Sequence, residues 1–314
     1  MLDYRMDTFL AVCKTMNYTK AADLLHISQP AVSQHIHWLE EAYGVPLFSF
    51  EGRKLRLTDA GSCLFCAANN MQNDAVALRE QLRSGVRERF VFGATQTIGN
   101  FVLPERIANY LIRNPEADIR MLVDNTESLL HSLDEGALDF AVIEGYFRKN
   151  QYAYAHYSDE RFICVAGAGY VFSSEPRVLS DLFCERLILR ESGSGTREIL
   201  ERALTERNCS IQDFERRLEI SSIGAIKTLA AANLGVTFLY AAAARAELMD
   251  GTLREIPLGD LQIEHPFTIV WRKNSIFDGD IRRRFTTLLH PQEELSTEAS
   301  VNLPAPASHE RRTK

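Results

Sequence analysis

The 314-residue sequence predicts an α+β multidomain protein: an N-terminal winged helix-turn-helix, a long linker helix and a two-lobed α/β region. Three observations carry this. Short capped helical patterns fill the first 45 or so residues and lead into a hairpin pattern. One uninterrupted helical pattern then runs from residue 59 to about residue 87. Beyond it, short apolar runs alternate with helical segments, the pattern of strands feeding helices in parallel sheets. The expected boundaries are 1–58, 59–88 and 89–290, with one lobe from 89–162 and 266–290 and the other from 163–265. Residues 291–314, rich in Pro, Ser, Glu and Ala without periodicity, read as a disordered tail.

A chain this long exceeds what one core organises, and 46% hydrophobic with 25% charged residues is ordinary globular composition. There is no apolar run of about eighteen residues and no signal-peptide order, so no membrane partner and a cytoplasmic location are expected. The net charge of −7 gives no global sign of a nucleic-acid partner, and residues 1–60 hold six Lys/Arg against seven Asp/Glu. Affinity for phosphate would have to come from local placement and dimerisation. Six cysteines at 13, 63, 66, 164, 184 and 209 are too irregular for a disulfide framework and are expected to be reduced.

The first helix is expected from Asp3 to Met16, burying Met6, Phe9, Leu10, Cys13 and Met16. Thr19 is placed as the cap of a second helix, Lys20 to Leu25, with Ala21, Ala22, Leu24 and Leu25 inward and His26-Ile27 as the turn. Ser28 then caps a third helix with Pro30 in its first turn, where a missing N–H costs nothing. Val32, Ile36, Leu39 and Tyr43 form its apolar face. Gln29, Ser33, Gln34 and His37 lie opposite, a short neutral face able to reach base edges in a major groove. Taken alone, this helix reads first as an ordinary amphipathic surface helix, and its flanks decide otherwise.

Gly44 stops the helix, and residues 47–57 read as a hairpin turning at Glu51-Gly52, the wing. Arg53, Lys54 and Arg56 give it the only basic cluster of the first domain. Thr58-Asp59-Ala60-Gly61 caps the long helix. Its seam of Ala60, Leu64, Ala67, Met71, Ala75, Leu78 and Leu82 suits pairing with a second copy. The polar flank, Asn69, Asn70, Gln72, Asn73, Asp74, Glu80 and Gln81, reads as the exposed side of a connecting helix.

Strands are expected at 90–93, 119–123, 140–143, 161–166, 186–189, 219–220, 236–239 and 265–271. Helices are expected at 98–113, starting or breaking near Pro104, and at 127–135, 197–208, 223–232 and 280–289.

Residues 6 to 61 resemble the N-terminal domain of LysR-type transcriptional regulators. The match rests on Phe9-Leu10-Ala11-Val12, Thr19, Ala21-Ala22, Ser28 to Ser33, Ile36, Leu39-Glu40, Gly44, Leu47-Phe48, Arg53 and Leu57-Thr58-x-Ala60-Gly61, in order and spacing. The resemblance extends over about residues 2 to 290 and implies a periplasmic-binding-protein-like effector domain. It further implies double-stranded DNA at inverted-repeat sites, a dimer through the linker helix or a tetramer, a small-molecule or oxyanion effector, and a possible contact with RNA polymerase. Gln29, Pro30 and Ser33 match base-contacting positions, and Arg53 matches the wing residue that enters the minor groove or meets phosphate. Thr19 and Lys20 are placed to touch phosphate. Phe50 and Gln34 stand where the family often has Arg, which removes two positive contacts.

In parallel α/β sheets, ligands sit at the carboxyl ends of strands, where helix N-termini aim donors inward. Thr95, Gln96 and Thr97 in one lobe, and Ser192 to Arg197 in the other, join a strand to a helix and offer hydroxyls; plain helix capping is the alternative. Both segments look like the effector-lining segments of the family, whose members sense oxyanions of sulfur or organic acids. The effector-site residues are thus Thr95, Gln96, Thr97, Asn125, Glu144, Ser194, Thr196 and Ser222, with Glu144 fitting an anion pocket only if it pairs with Arg190 or Arg197. No catalytic constellation, cofactor or metal site emerges. Cys63-x-x-Cys66 lacks a second ligand pair, and His35 and His37 do not share a helix face. The competing class is an α/β enzyme or solute-binding protein carrying an N-terminal interaction module.

Overall fold

The computed structural model describes residues 3–52, 54–84 and 89–289. Its first unit is built from caps. Asp3 caps α1 (Tyr4–Thr15), which ends at Met16 in the left-handed region. Met16 is therefore an exposed C-cap and not a core residue. Asn17, not Thr19, caps α2 (Tyr18–Leu25), its Oδ1 accepting from the Thr19 and Lys20 amides. Thr19 instead stands in the first turn. Ser28 caps α3 (Gln29–Tyr43) by accepting from the Ala31 amide, and Gly44 closes it at φ +70°. Leu24 and Tyr43, read as inward, are exposed, because the core is already filled by Phe9, Val12, Ala21, Val32, Ile36, Leu39 and Leu47.

The hairpin pairs β1 (Phe48–Glu51) with β2 (Lys54–Leu57), Phe48 opposite Leu57, and Gly52 takes φ +64° in its turn. α4 (Asp59–Ser84) follows, with Thr58 Oγ1 accepting from the Gly61 amide. Its opening turns pack Leu64, Phe65 and Ala68 on the three-helix core. Met71, Val76, Leu78 and Leu82 stay exposed further along.

The remainder comprises β3 (Arg89–Thr95), a π turn (Ile98–Val102), α5 (Leu103–Arg113), β4 (Asp118–Asp124), α6 (Thr126–Asp134), β5 (Phe140–Ile143) and β6 (Tyr152–Gly167). Then come β7 (Arg186–Leu189), α7 (Gly195–Thr205), β8 (Arg216–Glu219), α8 (Ile223–Ala231), β9 (Val236–Tyr240), α9 (Ala241–Asp250), β10 (Leu253–Ile256), β11 (Ile263–Arg272) and α10 (Asp278–Leu289). The helix expected from 98 is split: a wider π turn precedes the regular helix, which opens with Pro104 in its first turn.

Parallel pairing occurs within each lobe, β4-β3-β5 in the first and β8-β7-β9 in the second. The sheet as a whole is mixed. β6 is sixteen residues long, not six, and runs antiparallel to β11 across both lobes, with the register slipping at Phe267/Thr268. Residues 152–158 of β6 border the first lobe through β11, while 162–165 pair with β9 of the second. The sequence concealed the first half of β6 because Ala153 to Tyr157 alternates half-buried with exposed positions on a strand covered on one face only. The α9 helix and β10 also lay unread: Ala241 to Ala244 has no polar face to mark a period.

Candidate DNA-reading face and effector cleft

On α3, Gln29, Pro30, Gln34 and His37 are exposed and Ser33 is half-buried, with Gln29 Nε2 donating to Ser33 Oγ at 3.0 Å. The helix is fixed from behind. Thr8 Oγ1 meets His35 Nδ1 at 2.9 Å, and Glu40 Oε1 accepts from the Leu47 amide at 2.8 Å, tying α3 to the hairpin. Glu40 belongs to the family match, but its sequence context, an acid beside core Leu39 and ahead of the Gly44 stop, does not by itself reveal that it holds the start of the hairpin. Trp38, half-exposed on the flank of α3, carries the Arg5 guanidinium 4.0 Å from its ring, a second feature the sequence did not flag.

Thr19 and Lys20 are exposed at the start of α2. Of the wing cluster, Arg53 lies outside the described residues. Lys54 is exposed, and Arg56 is paired with Glu51 at 2.5 Å, so part of the wing's charge is cancelled within the hairpin. Phe50 projects 70% exposed on the first wing strand.

Across the sheet, four predicted effector residues converge on one point. Glu144, at the end of β5, is 1% exposed. It accepts from Thr95 Oγ1 at 2.8 Å, from Thr97 Oγ1 at 3.3 Å, and from Thr196 Oγ1 of the opposite lobe at 2.6 Å. The hydroxyls therefore serve a buried carboxylate and not helix capping, and Ser194 likewise makes no capping bond to α7. Burial raises the Glu144 pKa above the ordinary carboxylate range, opposed by the Thr196 and Thr95 donors and the charge of Arg190.

The condition for Glu144 to fit an anion pocket, a pairing with Arg190 or Arg197, is not met. Arg190 is chelated by Glu191 at 2.7 and 2.8 Å, and Arg197 is held by Glu201 and Glu219 at 2.8 and 2.6 Å.

The lobes touch closely here. A Cβ on Gly195 would stand 2.7 Å from the Gly145 nitrogen, so only glycine permits the approach. The Tyr146 amide donates to Glu198 across the gap, and the Arg202 guanidinium lies 3.4 Å from the Tyr146 ring centre. Beside this contact is a cleft of about 410 Å³, lined among others by Thr126, Glu127, Arg148, Ser194, Glu198 and Glu201. Thr126 Oγ1, Ser194 Oγ and Arg190 Nη1 are buried polar atoms with no hydrogen-bond partner among the described residues. Asn125 caps α6, accepting from the Ser128 amide, and Ser222 caps α8. Of the eight effector residues expected from the sequence, only Ser194 lines this cleft; Thr95, Thr97, Glu144 and Thr196 form the buried contact beside it, and Gln96, Asn125 and Ser222 lie outside its lining. All six cysteines are free thiols, and burial pushes Cys13 up to about 12. Among the described residues no group of three acidic, His or Cys side chains could hold a metal ion, and no helix is long and apolar enough to cross a membrane.

Residues 4–62 match the family model of the bacterial regulatory helix-turn-helix protein, lysR family, and residues 83–283 match the LysR substrate binding domain. The HTH-type transcriptional activator CmpR of Synechocystis is 27% identical over 274 residues, 86% of this chain and 89% of that protein. The HTH-type transcriptional regulator YeiE of Escherichia coli is 29% identical over 252 residues, 80% of this chain and 85% of that protein. Among solved structures, ArgP from Mycobacterium tuberculosis covers 92% of this chain and 98% of its own at a TM-score of 0.62 and 19% identity, a likeness of fold.

Proposed function

The chain belongs to the LysR family of bacterial transcriptional regulators, and from that premise we propose how its two sites divide the work. DNA is read by α3: Gln29, Pro30 and Ser33 face base edges, supported by Gln34 and His37, while Thr19, Lys20, Ser28, Lys54 and Arg56 meet the backbone. The support is the exposed face of a helix braced by Thr8 and Glu40. Because the wing is partly self-neutralised, a second copy supplies affinity by pairing the α4 seam of Met71, Leu78 and Leu82. Substituting Gln29 with Ala is expected to weaken binding to the cognate operator by about tenfold or more and to relax one base preference. Lys54→Ala should weaken all sequences alike and flatten the salt dependence by about one counterion. Equal losses on cognate and random DNA for Gln29→Ala would remove the base-reading role.

The effector lies in the cleft between the lobes and is a small organic acid that also carries a hydrogen-bond donor, an amino acid being the simplest case. One observation carries this. The threonine donors expected to hold an anion are already committed to Glu144, while hydroxyls of both lobes, Thr126 and Ser194, remain unpartnered beside Glu127, Glu198 and Glu201. An inorganic oxyanion such as sulfate has no hydrogen to give Glu127, the lining carboxylate that Arg197, Arg202 and the Tyr146 amide do not already serve. A ligand amine can donate to Glu127, and its carboxylate suits Arg148 of the cleft wall. Thermal-shift titration of the full chain with sulfate, phosphate, simple carboxylic acids and the amino acids tests this. Stabilisation confined to ligands carrying both groups is expected; stabilisation by sulfate or acetate alone would overturn it.

A further inference from the structure

Over residues 69–74 the polar flank of α4 is not a solvated face. Asn69 and Asn73 both donate through Nδ2 to the carbonyl of Asp134, the last residue of α6, the second at 3.0 Å. Asn70 donates to the Lys273 carbonyl at 2.7 Å. Asp74 accepts from Ser275 Oγ at 2.8 Å and the Ile276 amide at 2.9 Å. Asn69 and Asp74 are buried by these contacts. Gly136, at φ +73°, lets the loop after α6 close on Asn73: a Cβ there would stand 2.5 Å from the Asn73 Cγ. The two attachment points are themselves joined, because buried Arg272 donates to the Leu133 and Leu138 carbonyls.

The other end of α6 stands in the cleft. Thr126 and Glu127 line it, Gly145 packs against Thr126, and Gly193 of the opposite lobe approaches Glu127. Nine residues of helix span roughly 13 Å, so one rigid element reaches from the lobe contact to the linker. The first turns of α4 belong to the core of the DNA-binding unit, so whatever shifts Asp134 also bears on that unit.

We infer that Asn69, Asn73 and Asp74 form a latch through which α6 transmits the state of the cleft to the linker helix. The physical reason is the character of the interface. It is held by directional bonds to the carbonyl end of a helix, groups that need a partner and lose it abruptly when geometry changes. Polar contacts of this kind are typical of interfaces that open, whereas an apolar seam would tolerate sliding. The inference rests on reading the cleft as the effector site, and it places regulation in a contact within one chain.

The test needs no effector. In the full-length protein, Gly195→Ala inserts a wedge between the lobes, and Thr196→Val removes an inter-lobe bond without added volume. Hydrogen exchange should rise at residues 144–146 and 193–198 in either variant, and with it exchange at residues 69–74, by on the order of tenfold, the range of allosteric coupling. In an Asn69→Ala/Asn73→Ala background, exchange at 70–74 should already be raised and should not respond further to the wedge. Faster exchange at the lobe contact with residues 69–74 protected as in the wild type would overturn the latch. Failure of the effector reading would show separately, as no ligand-induced thermal shift while the wedge still loosens residues 69–74.

Discussion

Alanine at position 61 is expected to dislocate the wing from the linker helix. The added Cβ would fall 2.0 Å from the Leu47 carbonyl oxygen and 2.9 Å from Leu57 Cδ2. The first of these is backbone that already accepts from the Thr58 amide, so relief requires moving the strand and breaking that bond. An overpacked site normally costs 1–3 kcal/mol, and a backbone clash belongs at or above the top of that range, about 3 kcal/mol. Chemical unfolding followed by exchange at residues 44–62 measures the loss, and DNA affinity should fall with it. A Gly61→Ala protein within about 0.5 kcal/mol of wild type, the scatter of ordinary surface changes, would show that the junction adjusts freely. The motif Thr58-x-Ala60-Gly61 thereby gains a mechanical reason: a hydroxyl to cap α4 and an absent side chain to admit the wing.

Glu144→Ala carries the second large effect. It strands the hydroxyls of Thr95, Thr97 and Thr196 around a cavity, and each buried group left unsatisfied costs about 1–3 kcal/mol. Several kcal/mol of lost stability and a loosened lobe contact are expected. Glu144→Gln separates charge from hydrogen bonding, since it keeps an acceptor and cannot ionise. Burial raises the folded-state pKa of Glu144 above its unfolded value, so the native state binds the proton more tightly and wild-type stability declines as pH rises from the unfolded to the folded pKa. The stability of Glu144→Gln relative to wild type should accordingly climb with pH across that window and level off above it. A difference that stays flat with pH would mean that Glu144 does not titrate as a buried carboxyl.

Local chemistry was legible in the chain and distant partnership was not. Ser28, Pro30 and Gly44 announce α3 because capping involves residues within one turn. Thr95, Thr97 and Thr196 were legible as hydroxyls at strand-to-helix junctions for the same reason. That all three converge on Glu144 depends on how closely two lobes approach, which Gly145 and Gly195 permit but do not advertise. Asn69, Asn73 and Asp74 misled in the opposite direction. Polarity on a helix flank ordinarily means water, and only the fold brings the Asp134 carbonyl and the loop at Ser275 to that side. Asn17 displaced Thr19 as a cap since both are competent cap residues two apart, and the helix began at the earlier one.

The two strands that cross between the lobes also set an order of assembly. β5 takes β11 as its neighbour, and Phe140 packs on Phe285 of α10, so the first lobe is finished by residues 263–289. The DNA-binding core, by contrast, is complete within residues 6–68. As the chain leaves the ribosome, the reading head therefore folds first, and the first lobe waits for residues 263–289 to be made. A translation product that stops short of residue 263 has a finished reading head and half a sensor. Such a fragment would carry the whole DNA-binding core while lacking the strand and helix that complete the first lobe, so the last strand of the sheet is what joins the earliest-finished unit to the latest.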